Sequence, residues 1–218
     1  MLKSFVIRKG RYTAAQKKAY DISGEKYLIA FSDEEIDFNK TFANGNGVTL
    51  EIGFGMGAAT AEIAQANPDK NYLGIEVHRP GIGRLLWEIE KRSLCNVRIV
   101  EYDAVSVTQK MIPPGSLDAI HIFFPDPWPK KRHRKRRLVQ RPFTQTLAER
   151  LKPGGYLYMA TDWEDYADHA LQELTAATVL RNACEGFAPP QSWRPKTGFE
   201  RKGLAKDYAI RELYFIRN

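Results

Sequence analysis

The sequence predicts an α/β fold in which a mostly parallel sheet carries helices on both faces. The first observation is the stretch from Val48 to Gly57, where an apolar, β-branched run leads into three alternating glycines and a helix-forming segment. The second is the alternation of strands and helices up to about residue 175, which is typical of parallel strands joined by right-handed crossovers. The third is a last alternating segment, residues 207–217, which follows no helical crossover and is expected to run antiparallel.

The predicted elements follow one another closely along most of the chain. Strands are expected near residues 48–52, 71–76, 97–100, 117–124 and 155–161, and helices near residues 57–66, 80–92, 104–111, 139–151 and 164–175. Residues 1–45 contain scattered basic residues and one short helix candidate at residues 14–19. We therefore expect an N-terminal basic arm and helix, partly flexible, over residues 1–45, ahead of one domain over residues 46–218.

The cysteines and the apolar segments of the sequence indicate where in the cell the protein is expected. The two cysteines, Cys95 and Cys184, have neither the spacing of metal ligands nor that of a redox pair. The chain also lacks an apolar run of transmembrane length and a signal-peptide core. We expect a cytoplasmic protein that binds no metal ion and does not associate with a membrane. It is expected to be a monomer or a homodimer.

The positive charge is concentrated in one internal segment. Seven of the eight residues from Lys130 to Arg137 are basic, and they account for the whole formal net charge of +7. A solvated surface is the simpler interpretation of such a run. Because it directly follows an apolar strand and has no amphipathic helix beside it, we favour a nucleic acid as partner. Phosphate contacts are predicted for Lys131, Arg132, Arg134, Lys135, Arg136 and Arg137.

Carboxylates follow the predicted strand ends, where open parallel sheets bind their ligands. Glu51 ends the first strand, Glu76 ends the second and Asp103 follows the third. A carboxylate at Glu51 would repel a pyrophosphate but suits the α-amino and sulfonium groups of S-adenosylmethionine. Glu76 would then accept bonds from the ribose hydroxyls, and Asp103 from the adenine amine.

The glycine turn is less specific than the carboxylates. Gly53, Gly55 and Gly57 would let a cofactor approach the backbone, but Gly53-x-Gly55-x-x-Ala58 also fits a dinucleotide fingerprint. Glu51 is the feature that counts against a dinucleotide. Simpler roles exist for the acids too, since Asp103 is a candidate helix N-cap and Glu51 a candidate for an internal pair.

A proline-rich loop ends the fourth predicted strand. Asp126 lies between Pro125 and Pro127, which stiffen the loop and remove backbone donors. Trp128 offers a flat face on which a base could stack. A rigid turn with a packed tryptophan is the simpler interpretation.

These motifs together resemble those of the bacterial tRNA (guanine-N7)-methyltransferases. The matching segments, in order, are residues 51–57 (EIGFGMG), 74–76 (GIE), 124–133 (FPDPWPKKRH), 160–162 (ATD) and 197–200 (TGFE). The resemblance spans roughly residues 48–215, and the PDPWPKK block is its most specific part. It implies that residues 46–218 form a class I S-adenosylmethionine-dependent methyltransferase domain, which is Rossmann-like, with a mostly parallel seven-stranded sheet and one antiparallel strand.

The resemblance also implies an activity and its site residues. The methyl group of S-adenosylmethionine would pass to N7 of a guanine in the variable loop of tRNA. Asp126 would be the catalytic carboxylate, and Glu51, Glu76 and Asp103 would bind the cofactor. Contacts with the tRNA substrate are implied for Lys130, Asp162, Thr197, Gly198, Phe199 and Glu200.

The residue types suit this chemistry, although other functions stay open. N7 of guanine carries a lone pair and no proton, so its methylation requires no general base, and a carboxylate such as Asp126 can stabilise the positive charge that develops. The enzymatic alternatives are a methyltransferase acting on another base or atom of nucleic acid and a dinucleotide-dependent oxidoreductase. A non-catalytic RNA-binding protein is the alternative from a different class.

Overall fold

The computed structural model describes residue 5, residues 12–205 and residues 207–218, without the side chains of residues 199, 202 and 204. Residues 1–4 and 6–11 of the predicted basic arm therefore lie outside the described residues. The helices are α1 (Ala14–Tyr27), α2 (Phe38–Phe42), α3 (Ala58–Ala66), α4 (Arg79–Arg92), α5 (Ala104–Lys110), a 3₁₀ helix (Lys131–Arg136), α6 (Phe143–Arg150), α7 (Glu164–Thr175) and α8 (Gly198–Leu204). The strands are β1 (Leu28–Ile29), β2 (Val48–Ile52), β3 (Asn71–Glu76), β4 (Val97–Glu101), β5 (Leu117–Phe123), β6 (Leu151–Thr161), β7 (Leu180–Asn182) and β8 (Arg211–Arg217).

The described chain forms two compact units, one with residues 12–113 and 193–195 and the other with residues 114–192, 196–205 and 207–218. In the first unit the strands lie in the order β1-β4-β3-β2 and all pair in parallel. The register sets Ile52 opposite Ile75 and Glu76 opposite Glu101, so the carboxyl ends of β2, β3 and β4 meet at one edge. This edge is where a parallel sheet binds a ligand.

Strand β2 lies in the core of the first unit, where even its polar residues Thr49 and Glu51 are buried. All five residues of β2 are buried, as in a strand covered on both faces. Gly74 of β3 is needed for packing, because a Cβ there would come within 2.7 Å of the Phe54 ring. Leu50 and Leu73 are fully buried at the centre of this core.

Helix α1 is longer than the predicted segment of residues 14–19. A capping box between Thr13 and Gln16 starts it, and the helix then packs against α4. The approach is close, since a Cβ on Gly83 of α4 would lie 2.4 Å from the Gln16 carbonyl oxygen. Local patterns do not reveal this length, because the buried face of α1 consists of Gln16, Ser23, Gly24 and Tyr27, without a stripe of aliphatic residues.

In the second unit the strands lie in the order β5-β6-β8-β7. β5 and β6 are parallel, whereas β8 is antiparallel to both β6 and β7. The prediction of one antiparallel strand at the end of the chain is therefore confirmed. The helix expected over residues 139–151 begins only at Phe143, because Pro142 precedes it and has no N–H to continue a helix from its N-terminal side.

The predicted α/β class with mostly parallel strands is confirmed, and the part of the chain that the structure describes contains eight strands in place of seven. The two-residue strand β1, beside β4, was not predicted, since two residues are too few for an alternation signal. None of the helices in the described part of the chain has the length and apolar character needed to cross a bilayer.

Candidate functional site

The glycine turn after β2 has the backbone that its sequence suggests. Gly53 and Gly55 have φ angles of +76° and +58°, in the left-handed region that favours glycine. A Cβ built on either residue would meet no atom of the described residues within 4 Å, so these residues leave open space beside the backbone of the turn. Gly57 differs, because a Cβ there would lie 2.6 Å from Leu85 of α4, which gives it a packing role. Its predicted contact with the cofactor stays a prediction.

Glu76 at the end of β3 holds the glycine turn in place. Its carboxylate accepts hydrogen bonds from the backbone N–H groups of Gly55 at 2.8 Å, Val77 at 2.7 Å and His78 at 3.0 Å. A carboxylate has about four acceptor sites, so one stays available for a ribose hydroxyl. Glu76 thus joins the ends of two neighbouring strands and retains capacity for a ligand.

Glu51 is a buried carboxyl beside this turn, with 3% of its surface exposed. Burial raises its pKa to about 7; the Thr60 hydroxyl opposes this shift, and the charge of Glu76 adds to it. No cation among the described residues contributes to the pKa of Glu51. A positively charged ligand would supply the missing countercharge, and the residues therefore fit the α-amino and sulfonium groups of S-adenosylmethionine.

Asp103 follows β4 and begins helix α5. Its Oδ2 atom accepts from both the backbone N–H and the hydroxyl of Ser106, each at 2.9 Å. The simpler role that the sequence offered, an N-cap, is thus observed. The bonds use one carboxylate oxygen, so the other can accept from an adenine amine.

The proline-rich loop, residues 124–130, lies at the end of β5 in the second unit. The Phe124 N–H donates to the Ala160 carbonyl at 2.8 Å, which fixes the start of the loop against β6. Phe124 and Trp128 have φ angles of +51° and +46°, a conformation that bulky residues rarely adopt and that concentrates at functional sites. Asp126, between them, is exposed to solvent.

Trp128 is partly covered by residues of the basic run. The Arg136 guanidinium lies over its ring, 4.0 Å from the centroid, and His133 meets the ring edge-on at 5.9 Å. Arg136 is half-buried in this position. A base that stacks on Trp128 would therefore use the face opposite Arg136.

The later motifs come together in the second unit. Thr197 is the N-cap of α8, where its hydroxyl accepts from the Glu200 N–H at 3.1 Å. Asp162 lies against the same helix, since a Cβ on Gly203 would come within 3.0 Å of its Oδ2 atom. Glu200 is buried and Gly198 is exposed, while the side chain of Phe199 lies outside the described residues. The structure thus joins two motifs that are 35 residues apart in the chain, from Asp162 to Thr197.

The basic run forms the 3₁₀ helix with Lys130 as its N-cap residue. Five of its cations are exposed and can meet a polyanion, namely Lys130, Lys131, Arg132, Arg134 and Lys135. Arg134 also pairs with Asp165 of α7 at 2.8 Å. Together these residues place a dense positive charge directly after the Asp126 loop.

Arg137, for which a phosphate contact is predicted, is buried. Only 1% of its side chain is exposed, and the guanidinium binds the Pro127 carbonyl and the Asp165 carboxylate. The sequence does not distinguish Arg137 from the other six cations of the run. Which of them is buried depends on where the 3₁₀ helix ends, and Arg137 directly follows its last residue. The sequence gives one indication of this burial, because the apolar residues Leu138 and Val139 follow Arg137 directly. Both of them are buried in the structure.

No sequence motif points to the partners of Arg137 on α7. Asp165 and Tyr166 lie 28 and 29 residues further along the chain, and neither belongs to a recognised motif. Tyr166 is fully buried and its hydroxyl accepts from the Val139 N–H at 3.0 Å.

In the residues that the structure describes, no group of three or more His, Cys, Asp or Glu side chains is placed to hold a metal ion.

Solved structures share this fold at low sequence identity. The 16S rRNA methyltransferase KamB superposes with a TM-score of 0.62 at 15% identity, over 85% of this chain and 95% of its own. A mutant of the 16S rRNA (adenine(1408)-N(1))-methyltransferase from Catenulisporales acidiphilia, with SAM as cosubstrate, gives a TM-score of 0.56 at 15% identity, over 82% of this chain and 88% of its own. The predicted class I S-adenosylmethionine-dependent methyltransferase fold is thereby confirmed.

Comparison with sequences identifies the family. A family model described as a putative methyltransferase, Methyltransf_4, matches residues 45–213. The tRNA (guanine-N(7)-)-methyltransferase of Chromobacterium violaceum is 49% identical over 99% of this chain and 96% of its own length. Its counterpart in Nitrosospira multiformis is 47% identical over 98% of this chain and 93% of its own. The chain therefore belongs to the tRNA (guanine-N(7)-)-methyltransferase family, whose members are S-adenosylmethionine-dependent enzymes.

Proposed function

We propose that the protein transfers the methyl group of S-adenosylmethionine to N7 of a guanine in the variable loop of tRNA. The donor, the target atom and the class of RNA follow from the family; the position in the tRNA and the roles of the residues are our proposal. The observation that supports it most is the exposed carboxylate of Asp126. It lies in a loop with positive φ angles at Phe124 and Trp128, and this loop leads directly into an exposed cationic helix. The activity is assigned to the cytoplasm, in a monomer or homodimer that needs no metal.

Residues of the first unit would hold the donor. Glu51 would face its positive groups, Glu76 its ribose hydroxyls and Asp103 its adenine amine. When bound, S-adenosylmethionine supplies a methyl group activated by a sulfonium. Gly53 and Gly55 would leave the backbone of the turn accessible to this ligand, because no described side chain occupies the space beside them.

Asp126 would act on the charge of the purine and not on a proton. N7 has a free lone pair, so the guanine becomes positive as it accepts the methyl group. A carboxylate held beside the ring stabilises that charge and can accept from the guanine N–H edge. The prolines on either side of Asp126 restrict the backbone of the loop, which would keep the carboxylate in place before the substrate binds.

Two groups of residues would bind the RNA. The exposed cations of the 3₁₀ helix would contact phosphates, and Lys130 would lie at the start of that surface. Recognition of the target guanine is assigned to Asp162 and to the first turn of α8, with Thr197, Gly198, Phe199 and Glu200. Because the deep major groove of an RNA helix hides N7, the guanine must be presented from a loop or an opened pair.

The test is methyl transfer from labelled S-adenosylmethionine to unmodified bulk tRNA, followed by nucleoside analysis. Label in 7-methylguanosine is the expected result, and label in another nucleoside would support a methyltransferase of different specificity. A second substrate tests the position: a tRNA transcript whose variable-loop guanines are replaced by adenine should accept no label. Transfer to that transcript at the normal rate would contradict the variable loop as target.

A further inference from the structure

The proline-rich loop has few backbone donors with which to hold its own position. Three of its seven residues, Pro125, Pro127 and Pro129, have no N–H group. Phe124 and Trp128 adopt left-handed conformations, which persist only where the surroundings hold them. Apart from the Phe124 N–H at its start, the loop therefore depends in part on bonds from donors elsewhere in the unit to its carbonyl oxygens.

Arg137 supplies such a donor from the interior. Its Nε–H bonds to the Pro127 carbonyl at 3.0 Å, and this carbonyl belongs to the residue directly after Asp126. The arginine is 1% exposed, so neither solvent nor a phosphate can compete for the bond. A change in the position of its guanidinium would therefore move the peptide next to Asp126.

The other side of the guanidinium is fixed to helix α7. It donates to the Asp165 carbonyl at 3.3 Å and to the carboxylate of the same residue, and the hydrogen bond to Arg137 is the main cause of a lowered Asp165 pKa. The ring of Tyr166 packs against the guanidinium with its centroid 4.9 Å away. α7 begins two residues after Asp162, so Arg137 joins the loop of Asp126 to the helix that follows Asp162.

We infer that Arg137 is a positioning residue for the methyl transfer, which holds Asp126 in place through the Pro127 carbonyl and makes no contact with RNA phosphates. The inference rests on the proposed role of Asp126. A planar guanidinium can bond to the loop carbonyl and to both acceptors of Asp165 at once, whereas a lysine ammonium lacks that fork geometry. The planar, forked shape of the Arg137 guanidinium is therefore more important for holding the loop than its positive charge.

The decisive variant is Arg137→Lys, which keeps the charge and removes the fork. Arg141→Lys is the matched control, because Arg141 pairs with Glu173 of the same helix α7 at 3.1 Å and is exposed. The measurements are kcat at saturating donor and tRNA, the affinity for S-adenosylmethionine, and tRNA affinity as a function of salt. Misplacement of a catalytic group by about 1 Å can slow a reaction on the order of 100-fold, so a kcat loss of that size is expected for Arg137→Lys.

Three further results are expected. Donor affinity stays at the wild-type value, because the predicted donor residues belong to the other unit. The salt dependence of tRNA binding is unchanged, and Arg141→Lys retains the wild-type kcat. A wild-type kcat in Arg137→Lys would overturn the inference. So would a salt slope reduced by about 0.7, since this would assign Arg137 to a phosphate.

Two additions keep the test decisive if Arg137→Lys folds poorly or the enzyme acts on another substrate. Asp165→Asn removes the charged anchor of the guanidinium while keeping the side-chain shape, and it should also lower kcat.

Fluorine NMR of protein labelled with fluorotryptophan reports on the conformation of the loop without requiring turnover. The variant Trp128→Phe identifies which of the four tryptophan signals belongs to Trp128. That signal should shift in Arg137→Lys and not in Arg141→Lys. An unmoved Trp128 signal overturns the positioning role, whereas wild-type protein that forms no 7-methylguanosine refutes only the proposed function.

Discussion

Replacing Glu51 by glutamine should separate the stability of the ligand-free protein from its affinity for the donor. The wild-type carboxyl is buried, and this burial raises its pKa from 4.5 to about 7. Such a group contributes stability that is fully present below pH 4.5 and is lost as the pH rises through about 7. The ligand-free enzyme therefore bears the cost of an ionised, buried carboxylate at neutral and alkaline pH.

The size of this cost follows from the pKa. Each pKa unit corresponds to about 1.4 kcal/mol, so at pH 8 the ionised Glu51 destabilises the folded protein by about 3 kcal/mol. Glu51→Gln has no charge to bury and keeps nearly the same side-chain shape. We expect the variant to be more stable than the wild type at pH 8 by up to about 3 kcal/mol, with this advantage absent at pH 4.

Donor binding should change in the opposite direction. The wild-type affinity for S-adenosylmethionine should fall about tenfold from pH 8 to pH 6, where only about a tenth of Glu51 is ionised. Glu51→Gln should bind weakly at both pH values, because a neutral amide gives no countercharge to the sulfonium. Urea unfolding at pH 4, 6 and 8 and calorimetric titration of the donor measure the two effects.

The control is Glu62→Gln, which changes an exposed glutamate on helix α3 near the same turn. This variant should match the wild type in both assays. A Glu51→Gln protein that is no more stable at pH 8 than the wild type would show that Glu51 is not held ionised at a cost. Unchanged donor affinity in that variant would refute the role of Glu51 as the partner of the sulfonium.

Three other predictions concern the loop, the cationic helix and the glycine turn. Asp126→Asn should retain donor affinity but lose turnover on the order of 100-fold, as when one electrostatic partner of a transition state is removed, and near-normal turnover would exclude the assigned role. Arg132→Gln should weaken tRNA binding and lower the slope of log affinity against log salt by about 0.7, and an unchanged slope would mean that this side chain meets no phosphate. Gly55→Ala should destabilise the fold by about 1 kcal/mol and weaken donor binding, because its φ is positive and its Cβ would enter the open space of the turn. Gly45→Ala, at a glycine without positive φ, is the control, and equal donor affinity in the two variants would contradict the turn as a ligand site.

Much of the fold follows from local patterns in the sequence. The strand pattern of β2, the glycines after it and the alternation of the last segment each extend over a few residues, and each predicted its element correctly. Glu76 ends its strand as expected, because the end of an apolar run is visible in the sequence. The short strand β1 and the full length of α1 were missed because their residues carry no strong period and are held by contacts with β4 and α4.

The amino-acid sequence alone is enough to deduce the class of fold and the order of the acidic residues along it. It did not determine which charged residues are buried, because burial depends on neighbours that are distant in the chain. Arg137 is one of seven similar cations in the sequence, and only its contacts with Pro127 and Asp165 distinguish it. Glu51 likewise is one carboxylate among several, and only the core that closes around it raises its pKa. Tertiary packing decided these properties because the energy of a charge depends on what surrounds it, and the fold brings those surroundings together.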